Sequence, residues 1–238
     1  MLLQCLPRNL LCTDAPGVYH PFVRPLARDR VAEIQGGNRQ EERPVGQTRI
    51  TVELPAWVEP FVAQWPERFD SAEARMRLAV ELASRNVEHR TGGPFGAAIF
   101  EIDTWRIVGL GVNLVEPSNC SILHAEMVAI AMAQQTVGSY DLAAGGGVRH
   151  ELATSTEPCA MCLGAIPWSG VRRVLCGARG EDACEIGFDE GAKPPDWVGE
   201  LNRRGIEVAR DVLRDEARAV LKRYAQTGGT IYNAGAGA

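Results

Sequence analysis

"TEPCAMC", Thr156–Cys162, sets two cysteines three residues apart directly behind a proline. Such a pair fits half a metal site, a redox dithiol or ordinary core, and its partners decide among these. The chain offers four histidines, His20, His89, His124 and His150. Only His124 has a fitting setting: "LHAEM" places it at the expected start of a helix, two residues before Glu126. Cys159 and Cys162 stand at the expected start of a second helix, where i and i+3 share one face. One histidine and two cysteines supply three ligands for tetrahedral zinc and leave the fourth position open, which is the arrangement of a catalytic rather than a structural site.

Zinc in such a site lowers the pKa of bound water to about 7. Glu126 is then the expected proton carrier, taking the water proton, passing it to a ring nitrogen and protonating the departing amine. Two plainer readings stand beside this one. A thioredoxin-like dithiol also uses Cys-x-x-Cys but has no need of a His-x-Glu counterpart. A structural zinc site requires a fourth ligand, for which Cys176 and Cys184 are the candidates. His-x-Glu joined to Pro-Cys-x-x-Cys is the signature of zinc nucleobase deaminases, and the specificity lies in that conjunction.

Outward from the cysteine pair, periodicity predicts a ladder of helices and strands. Asp70-Ser71 followed by Glu73 reads as a helix start, and Met76, Val80, Ala83 and Val87 continue it with an apolar stripe of about five turns. "TGGPFGAAIFE" leads into a strand, and after a turn at Asp103-Thr104 "WRIVGLGVNLV" forms the second arm of an antiparallel hairpin. A helix over "LHAEMVAIAMAQQ", a strand over "ELATST", a helix from about Cys159 and a strand over "VRRVLCG" follow. "DWVGELNRRG", "IEVARDV" and "RDEARAVLKRYAQ" read as helix, strand and helix. Alternating helices and strands after a hairpin predict a mixed sheet covered on both faces. The folded unit begins near Ile50, so residues 49–238 form one catalytic domain and residues 1–48, rich in Pro, Arg, Gln and Gly, form a poorly ordered extension. Trp168 is expected to pack behind the zinc helix.

Composition bounds the function. A chain of 238 residues with 45% hydrophobic content buries a core without disulfides. Its seven cysteines are odd in number and unevenly spaced, as reduced thiols in a cytoplasmic protein would be. No signal peptide or membrane span is evident, Pro7 and Arg8 interrupting the apolar opening. A net charge of −5 provides no general attraction to phosphate backbones, so small-molecule chemistry is favoured over nucleic acid or membrane partners.

"HAEMVAIAMAQ", "STEPCAMCLGAIPWSGVRRVLCGAR" and "EIGFDEGAKPPDW" resemble the guanine deaminases of the cytidine deaminase-like fold, over most of the chain from about Leu54 to Ala234 and including the terminal "IYNA". The resemblance implies a three-layer α/β/α sandwich around a mixed five-stranded sheet. It also implies a homodimer whose C-terminal segments contribute to the partner's site, one zinc per chain on His124, Cys159 and Cys162, and hydrolysis of guanine to xanthine and ammonia. Carried over by motif, Asn113 would hydrogen-bond the purine, Ala125 would offer its N–H to the guanine carbonyl, and Phe95 would line the base pocket. Glu190, in "GFDEG", would be a second proton shuttle and base anchor, with Asp189 beside it as a further contact. Other substrates of the same chemistry remain open: cytosine, a nucleoside such as guanosine, an aminotriazine or adenosine in tRNA. So does a zinc-stabilised binding protein without turnover, against which the intact Glu126 speaks.

Overall fold

The computed structural model describes residues 49–144 and 146–233. The extension expected over residues 1–48 lies outside the described residues. Along the chain run α1 (Val58–Val62), α2 (Ala72–Glu88), β1 (Gly96–Glu101), β2 (Ile107–Val112), α3 (Val115–Ser118), α4 (Ala125–Val137) and β3 (His150–Thr156). Then come α5 (Ala160–Ser169), β4 (Arg173–Ala178), α6 (Gly180–Glu185), α7 (Trp197–Arg203), β5 (Glu207–Ala209) and α8 (Arg214–Gln226).

The strands form one mixed sheet in the order β2-β1-β3-β4-β5. β1 is antiparallel to both β2 and β3, whereas β3–β4 and β4–β5 are parallel. Side-chain alternation along β1 decides the layering, since Ala97 and Ile99 enter one core and Ala98 and Phe100 the other. A strand buried on both faces needs a cover on each. α2 and α8 cover one face, contributing Met76, Leu78, Leu82, Val220 and Leu221. α4, α5 and α7 cover the other through Ala125, Ala129, Ile130, Ile166 and Leu201. The three-layer α/β/α sandwich expected from the sequence is the fold of the described residues.

The predicted start of α2 is realised by a cap: Ser71 Oγ accepts the Ala74 N–H at 3.0 Å, satisfying one of the amides that a helix start leaves unpaired. α4 lies unusually close to β2, because Gly109 and Gly111 present only hydrogen toward the backbone of Ala125, Ala129 and Ala133. That close approach positions the start of α4, from which His124 and Glu126 project.

Two local expectations differ from the structure, and "GEDACE", on which the sequence carried no expectation, forms α6. β5 is only three residues long, because Asp211 and Leu213 take left-handed φ values of 64° and 52° that a strand cannot continue through. Trp168 does not pack behind the zinc helix but is 85% exposed. α5 is apolar on every side, so its sequence does not distinguish the face that meets the sheet from the face that leaves it.

Candidate active site

The topology brings four chain segments to one edge of the sheet. Because β1 runs against β3, the residue before β1, Phe95, lies at the same edge as Asn113 after β2, Cys159 after β3 and Gly180 after β4. His124 and Cys159 are the N-caps of α4 and α5, both with extended backbone (φ −67°, ψ 157° and φ −66°, ψ 173°), and their side chains converge.

His124 Nδ1 stands 3.4 Å from Cys159 Sγ and 3.7 Å from Cys162 Sγ. Tetrahedral zinc with Zn–S near 2.3 Å and Zn–N near 2.05 Å requires S···N separations of about 3.6 Å, which the two values bracket. The three side chains therefore fit zinc in both donor type and spacing. Neither Cys176, buried in β4, nor Cys184, exposed on α6, joins this cluster, so among the described residues no fourth ligand closes the site.

Electrostatics agree with a cation site. The hydrogen bond from Cys162 brings the Cys159 thiol down to about 4, against the opposing effect of burial and with further help from His124. The same neighbour and burial push Cys162 up, so the two shifts describe one shared proton and a thiolate ready for a metal. Glu126 is buried, 6% exposed, with Oε2 3.4 Å from Cys162 Sγ. Burial first, and then the Cys159 charge, raises its pKa above the ordinary carboxylate value, which suits a group that must hold and release a proton.

These groups open into a cavity of about 510 Å³ walled by Phe95, Val115, Phe188 and Tyr232 with the two carboxylates Glu126 and Glu190. Phe95 and Phe188 meet edge to face, ring centroids 5.0 Å apart, and Tyr232 packs on Phe188 at 5.1 Å. The size and the aromatic walls suit a small planar ligand. Burial is also the first cause that pushes Glu190 up to about 7, with Lys193 opposing it.

The residues anticipated from the sequence fall as follows. Asn113 is fully buried; its Oδ1 accepts the Val115 N–H at 3.2 Å, and its Nδ2 has no partner among the described residues. Ala125 is the first residue of α4, so its N–H belongs to the turn that has no intrahelical acceptor. Asp189 is exposed; it lines the cavity but its Oδ1 accepts the Gly191 N–H at 2.8 Å, which makes it a brace for its own loop. Sequence reasoning missed Phe188, Tyr232 and Asn233. Asn233 Oδ1 accepts the Asp189 N–H at 2.9 Å and its Nδ2 donates to Gly187 O at 2.8 Å, so the C-terminal segment lines the pocket of its own chain. "IYNA" was the available signal, but nothing in four residues without periodicity shows where they return.

The family model for the cytidine and deoxycytidylate deaminase zinc-binding region matches residues 70–178. A guanine deaminase of Bacillus subtilis is 42% identical over 118 residues, 50% of this chain and 71% of its own length. A probable cytosine deaminase of Schizosaccharomyces pombe is 31% identical, covering 60% of this chain and 86% of its own. Among solved structures, a guanine deaminase from Nitrosomonas europaea superposes with a TM-score of 0.70 at 43% identity, covering 76% of this chain and 98% of its own. A structure in complex with 2,6-diaminopurine gives the same TM-score at 45% identity, covering 77% and 96%.

Proposed function

The chain belongs to the zinc-binding cytidine and deoxycytidylate deaminase family, and we propose that within it this enzyme hydrolyses guanine to xanthine and ammonia. The observation that carries the reading is the pair of carboxylates, Glu126 buried and Glu190 largely so, facing one cavity beside an open three-ligand donor set. Relatives named as guanine deaminases at 42% and 43% identity support the same substrate.

His124, Cys159 and Cys162 hold the zinc, which when bound supplies the Lewis acidity that makes water nucleophilic at neutral pH. Glu126 would take one proton from the attacking water and deliver it to the ring nitrogen beside C2, then take the second from the hydroxyl so formed on C2 and deliver it to the 2-amino group, which leaves as neutral ammonia and not as the amide anion. Guanine offers acceptors at O6 and N7 and donors at N1, the 2-amino group and N9. Asn113 Nδ2 and the Ala125 N–H suit the acceptor end, the latter at a helix start where partial negative charge is favoured. Glu190 suits the donor end, as base anchor and second proton shuttle. Phe95 stacks against the base plane, and Asp189 holds the Glu190 loop in shape.

Adenine would put an amino group against the Ala125 N–H and leave buried donors unpaired, a mismatch that discriminates by about 10⁴-fold. The test is ammonia release from guanine, adenine, cytosine and guanosine. Guanine is expected to react and adenine hardly at all, with Glu190→Gln lowering kcat and kcat/KM together. Turnover of cytosine or a nucleoside with guanine untouched would refute the substrate assignment while leaving the zinc chemistry intact.

A homodimer in the cytoplasm completes the reading. Trp168, in the last turn of α5, is 85% exposed and Ile122, two residues before His124, is 51% exposed, apolar side chains of the kind a second copy covers. The five described cysteines are all free, as a reducing compartment keeps them. Among the described residues no helix is long and apolar enough to cross a membrane.

A further inference from the structure

Glu190 sits on an irregular loop between α6 and α7, a poor platform for a group that must meet a base within a fraction of an ångström. Its main chain is tied down at one point, where Glu190 O accepts the Ala160 N–H at 2.9 Å. Its side chain has a different tether. Lys193 Nζ donates to Glu190 Oε2 at 3.1 Å and to Pro158 O at 3.3 Å, and the two side chains are only 15% and 11% exposed. Pro158 immediately precedes the zinc ligand Cys159. One partly buried ammonium thus joins the carboxylate to the backbone of the zinc turn.

The slot that holds this ammonium is built. A Cβ on Gly180 would stand 2.7 Å from Lys193 Nζ and 3.5 Å from Glu190 Oε2, so a side chain at position 180 would make the lysine terminus shift from this place. Gly180 has no positive φ, so conformational freedom is not what calls for glycine there. Its N–H meanwhile donates at 3.1 Å to Glu157, the residue before Pro158. Burying a lysine costs its hydration and its rotamer freedom, and a partnered carboxylate plus a carbonyl in fixed directions offset both.

We propose that Lys193 is the positioning residue of Glu190, locking its carboxylate to the Pro158–Cys159 turn so that base anchor and metal site keep one relative geometry. The inference rests on the assignment of Glu190 to the purine. Lys193 does not line the cavity that receives the base, so its effect on the base passes through Glu190. Its charge also opposes the burial that pushes Glu190 toward the neutral acid, keeping the accepting form of the carboxylate available.

The test is a double-mutant cycle on the zinc-loaded enzyme with guanine. Lys193→Met is expected to lower kcat/KM about 10- to 50-fold, with unchanged zinc content. It should also weaken guanine binding, measured by calorimetry in a Glu126→Gln background. Placed on Glu190→Gln, the same lysine change is expected to cost less than about twofold, because the carboxylate it positions is already gone. Gly180→Ala supplies the geometric control, keeping the lysine and its charge while displacing Nζ from the slot; a loss of the same kind, about fivefold, is expected. Equal losses from Lys193→Met in the wild-type and Glu190→Gln backgrounds would overturn the proposal, as would a silent Gly180→Ala. A wild-type enzyme inactive on guanine would instead refute the substrate assignment, so the two failures are told apart. Should Lys193→Met fold poorly in a thermal melt, Gly180→Ala with and without Glu190→Gln completes the same cycle.

Discussion

Gly111→Ala tests whether the contact between β2 and α4 sets the geometry of the site. A Cβ at position 111 would stand 2.0 Å from Ala125 O and 2.5 Å from Ala129 N, where real Cβ contacts stay beyond 3.0 Å. The start of α4 must therefore retreat by roughly 1 Å, since β2, though at the sheet edge, is hydrogen-bonded along its length to β1 and yields less than a helix end. His124 and Glu126 flank Ala125 and move with it. A displacement of about 1 Å in a catalytic group costs on the order of 10²-fold in rate, and overpacking of this kind costs about 1–3 kcal/mol in stability. Gly109→Ala is the matched control, because its Cβ would stand 2.5 Å from Ala129 O and 2.6 Å from Ala133 N, one turn farther from the ligands. The assay pairs thermal melts with initial rates of guanine loss below both melting temperatures, with zinc content measured on the same samples. Gly111→Ala is expected to lose about a hundredfold in kcat/KM and part of its zinc, and Gly109→Ala to lose comparable stability with far less activity. Equal activity losses in the two variants, or wild-type kcat/KM in Gly111→Ala, would refute the argument that this packing positions the site.

Glu126→Gln is expected to keep zinc and fold but lose at least about 10²–10⁴-fold in turnover, because the amide keeps the shape without the proton-carrying role; stopped-time product analysis on zinc-assayed protein checks it. Cys159→Ala should lose both metal and activity, two ligands being too few to retain the ion, which elemental analysis before and after dialysis will show. Asp182 accepts two hydrogen bonds from Arg214, at 2.9 Å each, and pairs with Arg218 at 3.2 Å. Its pKa lies below the ordinary 3.8, chiefly through Arg214, so its contribution is present above that value and is lost as the pH falls through the lower folded-state value. Asp182→Asn should therefore cost about 1–2 kcal/mol at pH 7, a range already reduced because both arginines are about a third exposed, and the gap from wild type should shrink below about pH 4 in urea titrations.

The zinc ligands were legible in the sequence because each pair is local. Cys159 and Cys162 share one helical turn, and His124 and Glu126 share another, so residue type and spacing are sufficient once a cap and a proline mark the helix starts. The sandwich was legible for a similar reason, since periods of 2 and 3.6 identify the long elements without reference to their neighbours. What stayed hidden depends on separations no period spans. Lys193 and Pro158 lie 35 residues apart, and Asn233 and Asp189 lie 44 apart. Trp168 was misread because an all-apolar helix does not declare which side is covered, and α6 went unread because "GEDACE" is held by Arg179 N–H on Asp182 and by the arginines of α8, none of which forms a helical period.

Strand direction explains why one small pocket can draw on so many parts of the chain. In a wholly parallel sheet only strand ends face a site at the carboxyl edge. Here the antiparallel β1 adds its beginning to that edge, so Phe95 faces the cavity beside the helices that follow β3 and β4. The arrangement creates a weakness, because Gly92–Pro94 and Asn113 both leave the sheet there with carbonyls that no strand pairs. Asn86, fully buried on α2, repairs it: its Nδ2 donates to Gly93 O and Asn113 O, each at 2.9 Å, while its Oδ1 accepts the Thr91 hydroxyl at 2.7 Å. Gly92 permits the clamp, since a Cβ there would lie 1.9 Å from Asn113 O and 2.8 Å from Asn86 Nδ2. The metal ligands are thus aligned from one face of the sheet, where α4 and α5 begin, and the segments carrying Phe95 and Asn113 from the other, where α2 ends. The strands between them set the relative position of the two faces, and direct ties add to it: the Leu114 N–H donates to Leu123 O at 2.9 Å and Phe95 packs on Phe188.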